Sequence, residues 1–160
     1  MFFIYNKVLL AVDGSKDSMR ATKEILEIKK KFRCKVVAFY SIENYNFPKI
    51  IMPAIPIPGN SGYNISQVDF IQRRTELKIE AIEILNETQK IFDSEDLSIE
   101  TNIIINEKPE DYIERIVEEK NFDLVALGCR GNHSKLRRIF MGNVAQKVLN
   151  DASCDVLIVR

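Results

Sequence analysis

Five short apolar runs, set apart by stretches with helical spacing, constrain this chain more than any other feature. The runs are 7–12 (KVLLAV), 34–42 (CKVVAFYSI), 97–105 (LSIETNIII), 122–127 (FDLVAL) and 154–159 (CDVLIV). Apolar character over so few consecutive residues marks a strand covered on both faces, and β-branched side chains favour the same conformation. Between the runs, Ala21, Ile25, Ile28 and Phe32 recur at helical intervals. Phe70, Leu77, Ile84 and Ile91 recur every seven residues, with Ala81 and Leu85 beside them. Ile113, Ile116 and Val117 form a third stripe, and Ala145, Val148 and Leu149 are expected to face inward on a short fourth helix. Strands alternating with helices demand right-handed crossovers. The expected fold is therefore α/β: a single five-stranded, parallel, open, Rossmann-like sheet with helices on both faces.

The helix boundaries carry their own signals. Ser15 or Asp17 can cap the first helix, and Lys29, Lys30 and Lys31 suit its carboxyl end. Ser66-x-x-Asp69 opens the second in the manner of a capping box, over about 67–92 and roughly 39 Å at 1.5 Å per residue. Pro109 fits a first helical position, with Glu110 and Asp111 in the first turn. Segment 43–65 is different. It holds four of the chain's five prolines together with Gly59 and Gly62, and proline removes N–H donors and fixes φ. Phe47, Ile50, Ile51, Met52, Ile55 and Ile57 argue against a freely solvated linker, leaving a flap over a pocket, a dimer contact or a passive insertion. With 160 residues and no internal repeat, the whole of 1–160 reads as one domain.

Lys+Arg and Asp+Glu balance at 23 each, so no overall field selects nucleic acid or an acidic membrane. No apolar run approaches the ~20 residues of a membrane span, and the opening residues do not make a signal peptide. Cys34, Cys129 and Cys154 cannot all pair and lack C-x2-C spacing, so reduced thiols in a cytoplasmic protein are expected.

Residues suited to chemistry gather at the exit of the fourth run. Gly128-Cys129-Arg130-Gly131 follows it, then 132–141, then Gly142-Asn143-Val144. Two glycines three apart permit a sharp turn through positive φ and align N–H groups that accept an anion. The third stands where a helix opens, with its unpaired donors and about half a positive charge. Arg130, Lys135, Arg137 and Arg138 add cations to the segment, without the aromatic interleaving of a nucleic-acid platform. The same glycines also serve as a plain strand-to-helix turn, and spacing does not separate the two uses.

The segment resembles the Gly-x2-Gly-x9-Gly-(Ser/Thr) signature of the universal stress protein family, in its nucleotide-binding branch. The likeness covers nearly the whole chain: the opening strand with Asp13, the second run ending near Ser41, and the closing CDVLIV sit where that family has them. It implies the strand order 3-2-1-4-5, which makes the first and fourth strands neighbours, with one crevice beyond their carboxyl ends. It further implies a regulatory homodimer joined through the last strand, holding ATP with Mg2+ as its accompanying ion and hydrolysing it slowly or not at all. Ala11, Val12 and Asp13 would line the adenosine, with Asp13 accepting a hydrogen bond from base or ribose. The backbone at Ser41 would meet the adenine edge. Leu127, Gly128, Arg130 and Gly131 would wrap ribose and phosphates, and Gly142, Asn143 and Val144 would hold the outer phosphates.

Two departures from the signature stand out. The spacer 132–141 has ten residues instead of nine, at a loop-closure cost of only roughly 0.1 kcal/mol, and the surplus should bulge around Asn132, His133 and Ser134. Asn143 replaces Ser or Thr; it can serve as an N-cap and its amide can donate to a phosphate oxygen. His133 has no carboxylate partner placed by sequence and reads as a surface residue near the ligand rather than a base. Cys129 reads as a small loop residue or a redox-sensitive thiol. Two other classes stay open. One is a universal stress protein dimer that binds no nucleotide, whose members usually lose the three glycines kept here. The other is an adenylating ATP pyrophosphatase, whose Ser-Gly-Gly-x-Asp-Ser loop is faintly similar to 13–18 (DGSKDS) but for the missing glycine pair. No activated nucleophile pair and no Walker A pattern appears.

Overall fold

The computed structural model describes residues 4–43, 45, 67–131 and 141–160, with the backbone alone at 67–69. Strands β1 (Lys7–Ala11), β2 (Lys35–Ile42), β3 (Glu100–Ile105), β4 (Leu124–Gly128) and β5 (Asp155–Val159) alternate with helices α1 (Lys16–Phe32), α2 (Gln67–Asp93), α3 (Pro109–Lys120) and α4 (Asn143–Asp151). All pairings are parallel, and the order is β3-β2-β1-β4-β5. This is the expected sheet.

Alternate strand residues point to opposite faces, so each central strand feeds two cores. On one face Val8, Leu10, Val36 and Ala38 pack with Ala21 and Ile25 of α1 and Leu85 and Phe92 of α2. On the other, Leu9, Val37, Phe39 and Val125 pack with Ile113, Ile116 and Val117 of α3 and Ala145 and Val148 of α4. The Phe39 and Tyr112 rings meet there at 4.7 Å between centroids. Burial on both sides is what makes the strand sequences apolar without alternation.

Several boundaries differ from the sequence reading. Leu97 and Phe122 are buried yet precede β3 and β4, and between Phe122 and β4 the Asp123 carboxylate accepts the N–H groups of Asn6 and Lys7, each at 2.7 Å. Leu149 was expected to face inward and is 50% exposed. It stands one step, about 100°, round from Val148 and misses the narrow face of a nine-residue helix. The segment 43–65, apart from Glu43 and Tyr45, and the Ser66 capping box lie outside the described residues.

Of the two candidate caps for α1, Ser15 takes the role: its Oγ accepts the Ser18 N–H at 3.1 Å. Ser15→Ala is expected to lower stability by about 1 kcal/mol in urea unfolding, with an unchanged m-value.

Candidate functional site

β1 is flanked by β2 on one side and β4 on the other, so the winding of the sheet reverses at its carboxyl end and opens a crevice there. The Val12 N–H donates to Phe39 O at 3.0 Å, and the chain then leaves the sheet at Asp13-Gly14-Ser15. Asp13 Oδ1 accepts the Ser15 N–H at 2.9 Å, while the Asp13 N–H donates to Ser18 Oγ at 3.2 Å. This local turn aims the other carboxylate oxygen across the crevice. A Cβ built on Gly131 would lie 3.2 Å from Asp13 Oδ2, so the glycine loop and Asp13 face each other closely.

The remaining candidate residues cluster at this same end of the sheet. Ser41 is the penultimate residue of β2, and its hydroxyl donates to Glu107 O in the β3–α3 connection. Tyr40, beside it, has its phenol pKa raised by burial and, after that, by the charges of Glu80 and Asp13. Ala11 is half-buried, whereas the Val12 and Leu127 side chains belong to the two cores, so only their backbone can line a ligand. Gly142, Asn143 and Val144 open α4.

The structure corrects four expectations about the loop. Among the described glycines only Gly14 has a positive φ (77°); Gly128 is required for room instead, and Gly131 needs neither, facing only the tip of the Asp13 side chain. A Cβ at Gly128 would sit 2.6 Å from Ser18 N and 2.8 Å from the Asp17 carbonyl carbon, so the first turn of α1 presses directly on the end of β4. Second, the N–H groups of the loop are partly taken up. Cys129 N–H donates to Val159 O at 2.6 Å and Arg130 N–H to Asp17 Oδ2 at 3.2 Å, leaving Gly131 and the first turn of α4 to meet an outside acceptor. Third, Gly142 is itself the N-cap of α4, and Asn143 is the first helical residue rather than the cap. The Gly142 N–H donates to Cys129 O at 2.8 Å and closes the stem of the loop.

Fourth, Arg130 is paired. Its Nε and Nη2 donate to Asp17 Oδ2 and Oδ1 at 3.0 and 3.4 Å, and this hydrogen bonding raises the guanidinium pKa further above its ordinary value. Asp17 is thus a member of the site that sequence reasoning treated only as a possible cap. The one signal was an acidic residue in the first turn of a helix beside the ligand strand. His133, Lys135, Arg137 and Arg138, with all of 132–140, lie outside the described residues. Among the described residues no group of three His, Cys, Asp or Glu could hold a metal ion. All three cysteines are free thiols.

The universal stress protein family model matches residues 4–160. The chain belongs to the universal stress protein family. A universal stress protein of Methanocaldococcus jannaschii is 29% identical over 158 residues, covering 98% of this chain and 83% of that one. Universal stress protein UspA from Lactobacillus plantarum shares the fold at a TM-score of 0.74 and 21% identity, over 98% of both chains. The universal stress protein of Archaeoglobus fulgidus in complex with dAMP superposes at 0.63 with 20% identity, over 98% and 99% of the two chains. Other universal stress proteins of this fold were solved with cAMP and with AMP. The described helices of this universal stress protein include none long and apolar enough to cross a membrane.

Proposed function

We propose that this universal stress protein is a regulatory module that binds ATP in the crevice between β1 and β4, with Mg2+ on the phosphates. The approach of Gly131 to Asp13 carries the reading, because it gathers a hydrogen-bond acceptor for a sugar or base and a donor for a phosphate into one cleft. The adenosine lies along the backbone of Ala11, Val12 and Ser41, with Asp13 accepting from ribose or base. Gly128 and Gly131 border the ribose and first phosphate, and the N–H groups of Asn143 and Val144 take the outer phosphates, where the helix dipole favours anions. The adenine nucleotides carried by solved neighbours support the same ligand class. Hydrolysis is slow or absent in this reading, which assigns the described residues of the site to holding the nucleotide rather than to activating a nucleophile.

The chain acts as one domain in the cytoplasm, and two copies associate through β5. That strand is the last in the sheet order and carries half-buried Val156, Leu157, Ile158 and Val159, a composition that invites pairing. Calorimetric titration with ATP tests the reading: saturable binding, with adenine nucleotide recovered by mass spectrometry from the purified protein, is the expected result. A folded protein that takes up no ATP would sink it.

A further inference from the structure

We propose that Asp17 is the positioning residue of the phosphate loop: acting through Arg130, it sets where 129–131 lies against Asp13. The inference rests on the nucleotide reading and goes past it, because Asp17 serves the ligand without touching it.

The Asp17 side chain is only 5% exposed. A carboxylate so far out of water must be met by several donors. One residue supplies most of them: Arg130 gives its main-chain N–H at 3.2 Å, Nε at 3.0 Å and Nη2 at 3.4 Å. Arg20 Nη1 lies further off, at 3.8 Å. A residue that donates from both backbone and side chain to one acceptor has its own backbone fixed, not merely its charge matched. The neighbouring residues are held by other elements. Cys129 is bonded to Val159 and, through its carbonyl, to Gly142, while a Cβ built on Gly131 would lie 3.2 Å from Asp13 Oδ2. Among the described hydrogen bonds, those of the middle residue, Arg130, all run to α1, and the acceptor there is Asp17.

The pairing also assigns Arg130 its role. With its charge matched by Asp17, the guanidinium acts on a bound phosphate indirectly, by holding the loop whose Gly131 N–H does the binding. The contrary arrangement, in which Arg130 leaves Asp17 to clasp the phosphate, makes the opposite forecast in a double-mutant cycle.

The test uses the full chain, with ATP and adenosine titrated into the unsubstituted protein, Asp17→Asn, Arg130→Gln and the double variant. Asparagine keeps the volume and one acceptor oxygen, and thermal unfolding verifies that each variant is folded. Each single substitution is expected to weaken ATP binding about tenfold, and the double no further, with adenosine unchanged within about twofold throughout. Losses that add in the double variant, undiminished ATP binding in Asp17→Asn, or equal losses for ATP and adenosine would each overturn the proposal. If the unsubstituted chain binds neither compound, the nucleotide reading fails, and the strut is judged by its backbone amide resonances. Shifts at Cys129, Arg130, Gly131 and Gly142 on Asp17→Asn then uphold it, and unmoved resonances overturn it.

Discussion

Alanine in place of Gly128 is expected to cost the fold about 2–3 kcal/mol. Its Cβ would enter a space already filled, 2.6 Å from Ser18 N, 2.8 Å from the Asp17 carbonyl carbon and 2.9 Å from Asp17 Cβ. The first two are backbone atoms in the opening turn of α1, which the Ser15 cap and the Asp13 turn hold in place. Relief requires moving a whole helix end rather than rotating a side chain. For a chain of this length the melting temperature should fall by roughly 5–10 °C. The urea m-value should stay the same, since the surface exposed on unfolding is unaltered. A loss below about 0.5 kcal/mol would mean that α1 yields at no cost and that the close approach is not what requires glycine.

Gly131→Val should do the reverse: ATP affinity falls by about 10- to 100-fold while stability changes by no more than about 0.5 kcal/mol. Gly131 is exposed at the crevice, and the nearest atom to an added Cβ is Asp13 Oδ2, the tip of a side chain, at 3.2 Å. That tip can shift, so the fold tolerates the substitution. The shift displaces the acceptor that the proposed ribose or base contact uses, and the branched side chain fills the cleft. Calorimetry beside thermal unfolding separates the two effects, and an unaltered ATP affinity would remove Gly131 from the site.

These two glycines mark where sequence reading stops. Their spacing was enough to single out the loop, but both were read as turn formers needing positive φ. The demand for space at Gly128 comes from α1, and the hold on Arg130 comes from Asp17, 113 positions away. Local pattern carries no information about such pairings. The strands were legible for the opposite reason: covered on both faces, they announce themselves residue by residue, as in KVLLAV and CDVLIV. Their order came from family resemblance rather than from the runs themselves. Leu149 shows a related limit, since on a helix of nine residues one position decides whether a leucine is inside or out. The loop N–H groups of Cys129 and Arg130 were counted as open to an anion, yet Val159 and Asp17 take them; the partners come from β5 and α1, which the loop sequence does not mention.

The Asp123 carboxylate, with its grip on Asn6 and Lys7, gives the sheet a bound edge like the spine of a book. Around it Lys35 N–H reaches Asn6 O at 2.8 Å and Asp123 N–H reaches Lys7 O at 2.9 Å, so alignment of β2, β1 and β4 is settled where the strands begin. These bonds lie at the amino ends of the strands, the rim opposite the crevice, and so leave strand alignment independent of the loops at the carboxyl ends. The register of three strands is thus written at one margin, away from the crevice.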